Sequence, residues 1–281
     1  MSEIIKSIPL SELYSFPDNP FHVAEGDELD ALTESVREYG IICPLVVRPM
    51  ENGGYEIISG HRRKAASERA GLETVPAFVR EMDRDAAVIT LVDSNLHREH
   101  ILPSEKAFAY KMKLEALKHQ GKSTLSQDGT KCRTDEAIGT ELGDSRNQVQ
   151  RYIRLTYLIP EILEMVDEGR IAFTPAVELS YLSEDEQRDL LDAIETEEKT
   201  PSYSQSVRIK KLSQEGQLDA ETIGAIMSED KPNQVERIRL PADRVRKFFP
   251  ADYTPKQMED VIVKLLEGWH RQQQRRKNDA R

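Results

Sequence analysis

Cysteine is nearly absent from this 281-residue chain, and that excludes several kinds of protein at once. Its two cysteines, Cys43 and Cys132, lie too far apart for a Cys-x-x-Cys metal or redox motif and are too few for a disulfide scaffold. Long apolar runs are missing too, and none approaches the ~20 residues needed to cross a bilayer. The opening Met1-Ser2-Glu3-Ile4-Ile5-Lys6-Ser7 lacks the apolar stretch of a secretory signal. A soluble cytoplasmic protein without membrane contact is expected. Positive charge is in deficit, with 39 Lys+Arg against 50 Asp+Glu and a formal net charge of −11. Coating nucleic acid non-specifically needs clustered positive charge, so any DNA contact must be a local patch. No zinc-ligand spacing, Ser/His/Asp arrangement or internal repeat is apparent.

What is there divides into parts. Pro44-Leu45-Val46-Val47-Arg48-Pro49 and Tyr55-Glu56-Ile57-Ile58-Ser59 read as a hairpin around Glu51-Asn52-Gly53-Gly54, where Asn and Gly tolerate positive φ. A helical pattern runs from Gly60 to Gly71, and Val75-Pro76-Ala77-Phe78-Val79 is strand-like again. Residues 83–97 and 103–119 read as helices, with Pro103 suited to a first turn. The polar stretch from Gly121 to Arg133 reads as a linker, and helical segments follow up to about Ile194. The expected class is α+β: a small mixed-sheet domain over residues 1–120, an all-α domain over 121–200, and a helical C-terminal segment over 201–281. Residues 205–281 hold 16 Lys+Arg against 12 Asp+Glu, so the acidity belongs to the remainder. Met258 to Trp269 is amphipathic, and Arg271, Arg275, Arg276 and Lys277 form a basic tail.

Two polar clusters carry chemistry. At Ser59-Gly60-His61-Arg62-Arg63-Lys64-Ala65-Ala66 a strand hands over to a helix through a glycine and a run of basic residues. Free N–H groups and the dipole of a helix start attract anions, which points to a phosphate site. Between two apolar-patterned helices lies Asp93-Ser94-Asn95-Leu96-His97-Arg98-Glu99-His100. Arg can clamp a phosphate there, while Asn95 and Glu99 can hold a hydrated Mg²⁺. The bland alternative is helix caps and surface ion pairs.

A third pattern spans Thr134 to Leu155. Thr134 and Ser145 read as N-caps, Gly143 as the turn, Gly139 as the small residue where two helices cross, and Ile138, Leu142, Val149 and Ile153 as their shared core. This is a helix-turn-helix pattern. Ser145, Arg146, Asn147, Gln148, Gln150, Arg151 and Arg154 are its DNA-binding candidates, being suited to base edges and phosphates.

Gly60-His61-Arg62-Arg63-Lys64-Ala65-Ala66 resembles the Gly-Glu-Arg-Arg-x-x-Ala box of ParB proteins. Ser94-Asn95-Leu96-His97-Arg98-Glu99 with Leu102-Pro103-Ser104-Glu105-Lys106-Ala107 resembles their second box, and Gly40-Ile41-Ile42-Cys43-Pro44-Leu45 also fits. The match covers about 200 residues and is most similar to versions carried on conjugative elements. The resemblance implies a ParB/sulfiredoxin-like N-terminal fold that binds CTP with Mg²⁺. Gly60, His61, Arg62 and Arg63 would cradle the triphosphate, with Ser94, Asn95, Arg98 and Glu99 completing the pocket and Gly40 to Pro44 near the base. It further implies a homodimeric clamp on double-stranded DNA, nucleoid-associated, dimerised by its C-terminal segment and served by a ParA-like ATPase in plasmid or chromosome partition.

Three positions of the N-terminal domain depart from the family pattern. His61 and Ser94 stand where carboxylates associated with hydrolysis are usual, and Cys43 replaces a glutamine near the base, so slow or absent CTP hydrolysis is expected. Phe173-Thr174-Pro175-Ala176 replaces Gly-His-Ala-Arg, which argues for a different DNA site. Gly60 occupies the catalytic thiol position of sulfiredoxins, excluding that chemistry. A transcriptional regulator of a mobile element, and a nucleotide hydrolase or kinase with Glu99 as base, remain the alternatives.

Overall fold

The computed structural model describes residues 4–96, 98, 100–120, 135, 138–139, 144–229, 245–250 and 253–279. They belong to two units, residues 1–229 and 230–281. The linker expected at 121–133, Thr134 and Gly143 lie outside the described residues.

The first unit opens with β1 (Ile4–Pro9), a 3-10 turn (Leu10–Glu12), β2 (Leu13–Ser15) and α1 (Asp27–Tyr39). Next come β3 (Leu45–Pro49), β4 (Tyr55–Ser59), α2 (His61–Ala70) and β5 (Thr74–Val79), then α3 (Arg84–Leu96) and α4 (Pro103–His119). The five strands form one mixed sheet in the order β1-β5-β3-β4-β2. β3 and β4 are the expected antiparallel hairpin, Val47 opposite Ile57 and Pro49 opposite Tyr55. β1 pairs antiparallel with β5, whereas β2 joins β4 and β5 joins β3 in parallel.

Alternation along the strands divides the core. Leu45, Val47, Ile57, Val75 and Ala77 pack with Ile8 and Leu13. Ile58 instead meets Phe16, Phe21, Ala87, Leu91 and Val92 of the α3 layer and Ala109 of α4. Helices α1 and α2 pack through Leu29, Val36 and Ala66. Helix α2 runs between Gly60 and Gly71, and α4 carries Pro103 in its first turn.

The all-helical part continues with α5 (Arg146–Leu155), α6 (Pro160–Asp167), α7 (Phe173–Leu179), α8 (Glu184–Glu197), α9 (Tyr203–Gln214) and α10 (Ala220–Ser228). Ser145, Ser183, Ser202 and Asp219 cap four of these helices with their side chains. One buried cluster joins Ala107 of α4 to Leu155, Ile162, Leu179, Leu190, Ile209 and Ile223. A smaller one, Tyr110, Ile138 and Val149, seats the described part of the helix-turn-helix on α4.

α4 is therefore shared by both layers, and its first turns are heavily bonded. Asp167 accepts from the Ser104 N–H at 2.9 Å and from its hydroxyl. Asp144 accepts from the Tyr110 hydroxyl and pairs with Lys106 at 2.7 Å. Burial favours the neutral form of Asp144, but the hydrogen bonds from Lys106 and Tyr110 outweigh it and hold its pKa below the ordinary value.

The second unit contains α11 (Pro255–Asp279), opened by reciprocal bonds between Thr254 and Gln257. Val263, Leu265, Leu266 and Trp269 are exposed on it. Among the described residues no helix is long and apolar enough to cross a membrane.

Candidate functional site

Three helix starts meet at one cleft. Its lining includes Gly26, Asp27 and Glu28 at the start of α1, Arg62 in the first turn of α2, and Leu102 and Glu105 at the start of α4. His22, Arg98 and His100 complete its polar wall, and its volume is about 910 Å³. That matches the upper range of small-molecule sites, ~300–1,000 Å³. The N-caps of α1 and α2 are Gly26 and Gly60, which cannot cap with a side chain, so the N–H dipoles of both helix starts are left for another acceptor.

Two guanidinium groups face this space. Arg62 Nη2 donates to Glu28 Oε2 at 2.9 Å. Arg98 lies 5.8 Å from the centre of the Phe21 ring, and burial, with Arg62 nearby, pushes its pKa down while Glu105 opposes the shift. Glu105 accepts from the His22 N–H at 2.8 Å and the Leu102 N–H at 3.3 Å, which ties the α4 start to the strand-to-helix connection before α1.

The other residues expected at the phosphate site have different surroundings. Arg63 Nη1 donates to the carbonyls of Cys43 and Pro44, so it holds that loop against α2 and is not part of the cleft lining. Gly40 closes α1 at φ 68°, and its N–H reaches the Val36 carbonyl at 2.9 Å. Ser94 and Asn95 both donate to the Leu91 carbonyl, at 2.9 and 2.7 Å, and Asn95 is buried. Among the described residues no group of three His, Cys, Asp or Glu could hold a metal ion, and Glu99 lies outside them.

His61 is a special case. Its Nε2 is buried with no hydrogen-bond partner. Burial first, then the charges of Arg98 and Lys64, push the imidazole down to about 4. It is therefore neutral at pH 7. The unfolded chain takes up this proton near pH 6.5 and the folded chain only near pH 4, so His61 lowers stability as pH falls through that window. Relative to His61→Gln, the natural chain should lose about 1–2 kcal/mol between pH 7 and 4, the full shift being discounted for partial exposure. Urea melts of both chains at the two pH values check this; parallel losses would refute it.

On the DNA side, α5 starts as the sequence indicates, the Ser145 hydroxyl accepting from the Gln148 N–H at 3.2 Å. Ser145, Arg146, Asn147 and Gln150 are exposed, and Gln148 is half-buried. Asp135, buried on the preceding segment, accepts from Arg146 Nε at 2.8 Å and Gln150 Nε2 at 3.0 Å, fixing two of these side chains. Arg151 and Arg154 are half-buried against the neighbouring helix α7. Arg151 donates to Thr174 at 3.0 Å and lies over Phe173 at 4.9 Å. Arg154 donates to the Ser180 carbonyl and lies between Tyr157 and Tyr181, 4.5 and 3.9 Å from their ring centres. The residues at 173 and 174 thus hold Arg151 directly.

Sequence reasoning missed the acidic wall of the cleft. Asp27 and Glu28 could have been found from the apolar spacing of Leu29, Leu32 and Val36 behind Gly26, which marks a helix start. Glu105 stands in the second ParB-like box, whereas His22 has no such local signal.

The ParB N-terminal domain matches residues 1–96, and the ParB HTH domain matches residues 102–208. The chain is 36% identical over 165 residues, 58% of its length, to the chromosome-partitioning protein Spo0J of Thermus thermophilus. It is 33% identical over 169 residues, 59% of its length, to the chromosome-partitioning protein ParB of Caulobacter vibrioides. It spans about half the length of these relatives, 55% and 51%. A solved structure of C-terminally truncated ParB from Caulobacter crescentus complexed with CTP-gamma-S is 30% identical, with 63% of this chain and 91% of that one covered and a TM-score of 0.32. With one family domain ending where α3 ends and the second beginning at the start of α4, the chain belongs to the ParB family.

Proposed function

We propose that this chain is a partition protein that binds CTP in the cleft between α1, α2 and α4 and uses α5 to bind double-stranded DNA. The observation that carries the reading is the convergence of three helix starts on Arg62 and Arg98. The starts of α1 and α2 supply the N–H dipoles, and the two arginines the bidentate cations, that polyphosphates require. Mg²⁺ would arrive on the phosphates of the nucleotide. α4 links the two functions, because Glu105 faces the cleft while Ser104 and Lys106 are bound to Asp167 and Asp144 of the helical part. Ligand binding at the α4 start therefore acts on the elements that carry α5. The exposed Val263, Leu265, Leu266 and Trp269 of α11 suit a homodimer, making the assembly a clamp. A ParA-like ATPase and a nucleoid location complete the proposal. Slow or absent hydrolysis fits the neutral His61 and the lack of a carboxylate at Ser94.

Two arginine variants test the cleft. Arg62→Ala should weaken CTP binding at least tenfold, ~1.4 kcal/mol, and leave the melting temperature almost unchanged. Arg63→Ala should lower stability by about 1–3 kcal/mol, since it strips two carbonyls of their charged donor. Calorimetry and thermal melts of both variants check the division. Unchanged CTP affinity in Arg62→Ala would refute the assignment.

A further inference from the structure

The nucleotide reading leaves one contact of the cleft unexplained. Of its carboxylates, Glu25 is turned to Arg69 at 2.9 Å, and Glu105 to His22 and Leu102. Glu28 instead pairs with Arg62, 2.9 Å from Nη2, and so occupies a donor that a phosphate oxygen would use. A carboxylate and a phosphate compete for the same guanidinium fork.

The pair is built to open. The Glu28 side chain is 82% exposed and that of Arg62 38%, so neither is locked by packing. Helices α1 and α2 are held together without it, by Arg69 with Glu25 and Asp30 and by the buried Leu29, Val36 and Ala66. Glu28 can swing away from Arg62 without parting the helices. Its charge also adds a direct repulsion to any polyphosphate that enters.

We propose that Glu28 is an internal competitor for the polyphosphate, holding Arg62 in the nucleotide-free chain and setting how tightly the nucleotide binds. This rests on the nucleotide reading of the cleft. Glu28→Gln removes the competing charge and keeps the shape of the side chain. It should tighten binding roughly three- to tenfold at low salt, and the gain should shrink at ~0.3 M salt as the charge is screened.

The test is calorimetric titration of the full chain with CTP and with inorganic tripolyphosphate, for the natural sequence, Glu28→Gln, Arg62→Ala and the double variant. The expected result is a salt-sensitive gain in Glu28→Gln with both probes, largely lost in the double variant. Binding by the natural chain with no gain in Glu28→Gln, or an undiminished gain in the double variant, overturns the proposal and leaves the nucleotide reading standing. If neither probe binds the natural chain or Glu28→Gln, the nucleotide reading falls and the proposal falls with it.

Discussion

Gly60→Ala should lower the unfolding free energy by about 2–4 kcal/mol and abolish CTP binding, read in urea melts and calorimetry. The residue sits at φ 108°, which costs an L side chain about 1–3 kcal/mol. A Cβ there would also come within 2.8 Å of Leu45 Cγ and 3.2 Å of the Arg63 guanidinium. Leu45 is fully buried and cannot step aside, so the helix start must shift instead. That shift carries Arg62 and the N–H groups of α2 away from the cleft. Stability and binding should therefore fall together. Full CTP affinity in a folded Gly60→Ala variant would show that the α2 start does not form the site.

Gly139→Ala tests the DNA side in the same manner, and here the sign is the informative part. At an exposed helical position the change from Gly to Ala stabilises by roughly 1 kcal/mol. At Gly139 the new Cβ would lie 2.5 Å from the Asp144 carbonyl oxygen and 3.3 Å from the Arg146 N–H nitrogen. The Asp144 N–H also bonds back to the Gly139 carbonyl at 2.9 Å, so the two segments are tied where the methyl group must go. The expected outcome is a loss of about 1–3 kcal/mol. Because the displaced segment begins α5, DNA affinity should fall more than stability alone accounts for. Denaturant melts and fluorescence titration with duplex DNA at low salt measure both. A stabilised variant with intact DNA binding would contradict the described packing.

The elements legible in the sequence were those fixed by local chemistry. Asn52-Gly53-Gly54 announces the β3–β4 hairpin, and glycines bound α2 at both ends. Ser145 marks the start of α5 because its hydroxyl satisfies an N–H three residues on. β1, β2 and α1 were not foreseen. The first two are defined by pairing with β5 and β4 far along the chain, and α1 buries only Leu29, Thr33 and Val36 beneath an acidic face.

The same divide runs through the site. Arg62 and Arg98 stand out as cations at a helix start and in a polar cluster, but their partners Glu28 and Phe21 are brought up by tertiary packing. Arg63, next to Arg62, looks equivalent in sequence and is turned to the loop carbonyls by the twist of one helical residue. Arg151 and Arg154 read as groove-facing, and tertiary packing sets Phe173, Thr174 and Tyr181 beside them.

The most direct test of the account is calorimetric titration of the natural chain with CTP, ATP and GTP, each with Mg²⁺. The proposed function predicts binding of CTP in preference to the other two, lost in Arg62→Ala. Absence of CTP binding, or a preference for ATP, would contradict it.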